Sequence, residues 1–212
     1  MSAGATTRNV LAPVLRWGYR LKVHGAHRVP RRGPLIVVAP HLGFLDASVI
    51  ATCLSRPVEV IVDPGGLAAL GGRVPGRILV DDADPGPGLR QAVRTVRAEG
   101  AVGAWATDGH ERAAGYLLAR TGAPVLPVAV FGGSGHHPGN PPRWRARVDV
   151  VVGEPVRLPA PADPLSRADV LGAAEAIRQL VVDHADEARL RMGLSDGVGI
   201  EADRDTTDNG AS

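Results

Sequence analysis

Leu35-Ile36-Val37-Val38-Ala39-Pro40-His41-Leu42-Gly43-Phe44-Leu45-Asp46-Ala47-Ser48-Val49-Ile50 passes from one structural period to another within a short distance. Its first five residues are apolar without alternation. The run is too short for a helix and is closed by a proline, which suits a strand buried on both faces of a parallel sheet. Gly43 lets the chain turn, and Asp46 is a suitable N-cap for a helix continuing through Ala47, Val49 and Ile50. A buried strand that leads through a tight turn into a helix is half of a βαβ unit.

Outward from this segment the same alternation continues. Apolar runs recur at 58–62, 77–80, 101–105, 124–130 and 146–152. Leu89, Ala92, Val93 and Val96 follow helical spacing while Arg90, Arg94 and Arg97 take the other face. Val170, Leu171, Ala174, Ile177 and Val181 trace a closing helix, and the Pro-rich stretch 155–164 before it is a connection. The chain has 212 residues, 44% hydrophobic and 22% charged, which suits one core without internal repeats. The predicted class is α/β: a single domain with a mixed, mostly parallel sheet flanked by helices. It occupies 28–192. A basic N-terminal segment, 1–27, precedes it, and an acidic, Gly-rich tail, 193–212, expected to be disordered, follows.

Residues 1–32 hold Arg8, Arg16, Arg20, Lys22, Arg28, Arg31 and Arg32 and no acid. Within them Val10, Leu11, Val14, Leu15, Gly18 and Leu21 form one stripe, which predicts an amphipathic helix over 8–22. Such a helix either packs on the core or lies at an anionic membrane surface, where each basic residue contributes about 1 kcal/mol. A single cysteine, Cys53, excludes an intramolecular disulfide and a cysteine-based zinc site. No run of 18 apolar residues occurs, and the N-terminus lacks the pattern of a signal peptide. The expected place is cytoplasmic, peripheral on the membrane face. The seven scattered aromatic residues make no stacking platform for nucleic acid, so no nucleic-acid partner is expected.

The chemistry-bearing pair is His41 and Asp46. A carboxylate bonded to one ring nitrogen would fix the tautomer of His41 and leave the other nitrogen free to take a proton. On a regular helix, positions five apart do not face each other, so the pair meets only if the intervening residues turn. The plainer alternative is a capping Asp beside an unrelated loop His. Gly132-Gly133-Ser134-Gly135-His136 misses the G-x-S-x-G nucleophile elbow by one position. His136-His137 lacks a third ligand at metal spacing, and no metal is expected. Cys53 reads as a small core residue. The Gly-rich stretch 64–76 lacks the Lys-Ser/Thr of a P-loop.

VPRRGPLIVVAPHLGFLDASVIA, GRILVDD, LRQAVRTVRAEGAVGAW, LLARTGAPVLPVAVFG and VVVGEPVRLP together resemble the glycerolipid acyltransferase family of 1-acylglycerol-3-phosphate acyltransferases, over roughly residues 28–185. The resemblance implies that His41 deprotonates an acceptor hydroxyl, that Asp46 orients His41, and that Pro127 matches the proline of the fourth family motif. It implies an acyl thioester donor, carried by coenzyme A or acyl carrier protein, a lipid or alcohol acceptor, and no cofactor. The chain departs from the family pattern at the acceptor motifs. Pro40 and Gly43 stand where the family has Asn and Ser. Val80-Asp81-Asp82 stands for Val-Asp-Arg, and Trp105-Ala106-Thr107-Asp108-Gly109-His110-Glu111-Arg112 stands for Phe-Pro-Glu-Gly-Thr-Arg. A shifted alignment puts Asp108-Gly109 at Glu-Gly and Arg112 at the arginine. Arg73 and Arg77 are substitutes for the missing phosphate contact, or solvated surface charges.

Overall fold

The computed structural model describes residues 13, 15–40, 45–63, 76–81, 83–106, 111–135, 140–159, 163 and 166–194. The elements run β1 (Arg20–His24), β2 (Leu35–Ala39), α1 (Asp46–Cys53), β3 (Glu59–Val62), β4 (Arg77–Leu79), α2 (Gly86–Arg97), β5 (Ala101–Trp105), α3 (Glu111–Thr121), β6 (Val125–Phe131), β7 (Arg147–Val152) and α4 (Arg167–Arg191). Seven strands form one sheet in the order β1-β7-β6-β2-β5-β3-β4. Every neighbouring pair is parallel except β6 and β7. The α/β class, with a mixed and mostly parallel sheet, is therefore observed.

β2 lies at the centre, bonded to β5 on one side and β6 on the other, and all five of its residues are buried. Alternate side chains serve two cores. Leu35, Val37 and Ala39 pack with α1 residues Val49 and Ile50 on one face. Ile36 and Val38 pack on the other with Ala92 and Val96 of α2, Leu117 and Leu118 of α3, and Ile177 of α4. Full burial of each large apolar side chain stabilises the fold by roughly 1.5–3 kcal/mol. This double duty explains why the strand reads as an unbroken apolar run.

The amino ends of β2 and β5 are tied by Arg56, which is buried. Its guanidinium donates to the carbonyls of Pro30 (3.3 Å), Gly33 (2.8 Å) and Glu99 (2.7 Å). On the antiparallel flank, Asp149 of β7 is buried and accepts from His24 and Arg147. Burial alone raises its pKa, but the hydrogen bonds from Arg147 and His24 outweigh this and hold it below its ordinary 3.8. His184 of α4 donates to the carbonyl of Val151 at 3.0 Å, and burial pushes its pKa below 6.5.

Three elements differ from the sequence expectation. The helix predicted over 8–22 does not reach 22: residues 15–18 are helical, and Arg20–His24 is strand β1, paired with β7. Arg20, Leu21, Lys22 and Val23 alternate polar and apolar, and the exposed edge of β7 rewards that pattern with a backbone ladder. Leu21 and Val23 pack into the α1-side core. α3 has no counterpart among the helices expected from the sequence, and only its first two residues overlap the motif stretch 105–112, although Ala114, Leu117 and Leu118 have helical spacing and are buried. Leu171, expected on the apolar stripe of α4, is exposed, and the helix runs on to Arg191.

Arg56→Met leaves loop carbonyls without their charged donor and should lower stability by about 2 kcal/mol, or Tm by about 4–8 °C in thermal melts. Acid should act in two stages. As pH falls below 6.5 the unfolded chain protonates His184 while the folded chain resists. Below 3.8 the ion-paired carboxylate of Asp149 adds a further loss. Urea melts across pH 3–8 should show both stages, and His184→Gln should remove the first only.

Candidate functional site

Adjacent strands β2 and β5 send their chains to opposite faces: β2 leads to α1 on one, β5 to α3 on the other. In an open α/β sheet this switch of direction opens a crevice at the carboxyl ends of the strands, the usual place for a ligand. The pairing continues one residue past β5, Ala106 N donating to Ala39 O at 3.0 Å. Pro40 and Ala106, both buried, mark the floor of this edge. Residues 41–44 and 107–110 connect onward from it. His41, Asp108 and Gly109 belong to them and, like Arg73 and His136-His137, lie outside the described residues.

Asp46 stands at this edge as the first residue of α1, 1% exposed. It was expected to be the N-cap, but Leu45 takes that position, with φ −89 and ψ −10, and no side chain caps the helix. The Asp46 carboxylate instead lies in the first turn, where the helix dipole favours an anion, and against the backbone of Gly133. Leu45 N donates to Gly133 O at 3.2 Å. A Cβ at Gly133 would fall 2.6 Å from Asp46 Oδ1. Gly132 before it has φ 77, and a Cβ there would meet the carbonyl of Arg147. The double glycine that sequence reading set aside as an imperfect nucleophile elbow is thus a close-approach turn, which lets the chain leaving β6 press on the Asp46 carboxylate. A Gly-Gly pair directly after a buried strand was the available signal.

The remaining predicted residues scatter. Arg112 is exposed on the first turn of α3. It lines, with Asp63, a cavity of about 330 Å³ walled by Ile61, Val80, Leu89, Trp105 and Tyr116. The Trp105 indole donates to the carbonyl of Ile61 at 3.0 Å, which fixes one wall. Arg77 is half-buried on edge strand β4, three strands from β2, or roughly 14 Å at ordinary strand spacing. Pro127 pairs with Val38 inside the sheet. Its neighbours Leu126 and Val128 point to the α1 face, so its ring faces the opposite one, against Gly153. The structure does not bring Arg77 or Pro127 to Asp46. Cys53 ends α1 half-buried. Burial raises its pKa, against weaker opposing effects of Thr52 and Arg16, so the thiol is poorly ionised and unsuited to attack. Among the described residues no group of three or more His, Cys, Asp or Glu is placed to hold a metal ion.

No protein-family model matches the sequence, and neither does a curated protein. Among solved structures the chain is similar to the crystal structure of the 1-acyl-sn-glycerophosphate (LPA) acyltransferase PlsC from Thermotoga maritima. The TM-score is 0.59 at 18% identity, over 85% of this chain and 78% of that one. The likeness read from the sequence segments therefore holds at the level of the fold.

Gly133→Ala should cost about 1–3 kcal/mol through the forced contact with Asp46. Combining it with Asp46→Ala, which removes the carboxylate, should recover part of that loss. A thermodynamic double-mutant cycle reads the coupling, and strictly additive losses would contradict the contact.

Proposed function

We propose that the protein is an acyltransferase, moving a fatty-acyl group from a thioester of coenzyme A or acyl carrier protein to a lipid or alcohol hydroxyl. The observation that carries this reading is the buried carboxylate of Asp46 at the switch point of a fold shared with a known acyltransferase, five residues after His41. His41 takes the proton of the acceptor hydroxyl as its oxygen attacks the thioester carbonyl, and Asp46 holds the imidazolium so formed. Collapse of the tetrahedral intermediate breaks the C–S bond, and the departing thiolate recovers the proton from His41. The products are an ester and a free thiol, with no covalent enzyme intermediate. The apolar cavity lined by Trp105 and Tyr116 is suited in character to an alkyl chain.

The acceptor we propose lacks a phosphate monoester. Asp82 occupies the place of the family's arginine, and the third motif is displaced by one residue. A lost charge-assisted contact of about 1.5–3 kcal/mol weakens phosphate recognition roughly ten- to a hundredfold, and a carboxylate adds repulsion. The same departures favour a second reading, a non-catalytic lipid-surface binding protein of this fold.

The test is thiol release from acyl-coenzyme A with lysophosphatidic acid and with unphosphorylated alcohols, the products identified by mass spectrometry. Transfer to a neutral acceptor is expected, with kcat/KM above that for lysophosphatidic acid. His41→Ala should lower it by roughly 10²–10⁴-fold, and Asp46→Asn should also lower it, both with near-native melting. No transfer with any acceptor selects the second reading. Preference for lysophosphatidic acid refutes the acceptor assignment alone.

A further inference from the structure

Two segments far apart in sequence, 15–20 before and into β1 and 143–147 leading into β7, are fastened side by side. Arg145 N donates to Gly18 O at 2.6 Å and Arg20 N to Ala146 O at 2.9 Å. The Trp144 ring lies over Gly18, where an added Cβ would be 3.1 Å from it. Trp144 packs edge to face on Trp17, with centroids 4.8 Å apart, yet Trp17 is 76% and Trp144 59% exposed. Arg145 holds a left-handed φ of 60, uncommon for a side-chain-bearing residue. The turn that offers Trp144 to solvent is thus maintained against its local preference.

Charge surrounds this wedge. Arg16, Arg20, Arg143 and Arg145 are all exposed, and none forms an ion pair with an acidic side chain among the described residues. Neither 13–24 nor 140–147 contains an acid. Two tryptophans amid arginines match a membrane interface, where indoles sit at headgroup depth and cations meet anionic lipid. Rings packed edge to face give no open parallel faces for stacking bases, which disfavours a nucleic acid. The patch has a definite orientation. β7 is antiparallel to β6, so the amino ends of β1 and β7 lie on the same sheet edge as the carboxyl ends of β2, β5 and β6. Asp46 and Gly133 are on that edge as well.

We propose that Trp17 and Trp144, with Arg16, Arg20, Arg143 and Arg145, form a docking surface for anionic lipid bilayers that turns the crevice beside Asp46 toward the membrane. The membrane contact stands on this patch alone; the use of that orientation rests on the acyltransferase reading.

The experiment uses the full chain with vesicles of zwitterionic lipid alone or mixed with anionic lipid, at low and high salt, followed by sedimentation and by tryptophan quenching with brominated lipid. Wild type should bind anionic vesicles, lose binding as salt rises, and show quenching. Arg16→Gln with Arg143→Gln should weaken binding about thirtyfold, near fivefold per charge. Trp144→Ala should weaken it and reduce quenching, with a small loss of melting temperature but a still cooperative transition, while transfer to a water-soluble acceptor is untouched. Asp46→Asn should bind vesicles as wild type does, so loss of activity and loss of docking are separable. Wild-type binding by both patch variants, or stronger binding to single-stranded RNA than to anionic vesicles, would overturn the proposal.

Discussion

β2 must be apolar on both faces, because α1 covers one side of it and α2, α3 and α4 cover the other. A strand in that position has no face for a polar side chain, since an unpaired buried polar group costs several kcal/mol. Groups able to do chemistry are displaced to the strand's end. The polar residues of this region, His41 and Asp46, follow only after Ala39 and Pro40. The helix that accepts Asp46 in its first turn is short, eight residues, and largely buried. Its position is set by packing of Val49 and Ile50 on β2, not by an N-terminal cap, which is why a buried carboxylate can be held in one place.

Polar clamps organise the amino ends of the central strands and the antiparallel flank. Arg56 spends its guanidinium on three loop carbonyls and thereby holds the amino ends of β2 and β5. The antiparallel flank breaks the apolar rule at Asp149, and this is tolerated because Arg147 and His24 supply donors to the carboxylate. These groups are structural; they lie where strands begin or pair at the flank, apart from the crevice between β2 and β5.

A shared edge links catalysis and surface in the proposed reading. The same antiparallel pairing that places Gly132 against Arg147 brings the Trp144 turn to the carboxyl-end edge of the parallel strands. A single register thus positions both the glycine contact of Asp46 and the exposed aromatic wedge. The chain is similar in fold to a 1-acyl-sn-glycerophosphate acyltransferase.

By itself the sequence determined what depends on local period and composition. The buried strands, the amphipathic helix with Arg90, Arg94 and Arg97 outward, the closing helix and the α/β class all follow from side-chain spacing and residue type. The pairing partner of each segment was decided only in three dimensions. Residues 20–22 continue a helical stripe as well as they begin an alternating strand, and the open edge of β7 chose between them. Pro127 and Arg77 were associated with the site through motif order, yet a strand's position along and across the sheet depends on its ladder, which separates both from Asp46. Gly133 stands in a near-motif for different chemistry, and Trp144 carries no motif. Each matters through contacts that bridge long sequence separations, Gly133 with Asp46 and Trp144 with Trp17, and no local preference encodes such a contact.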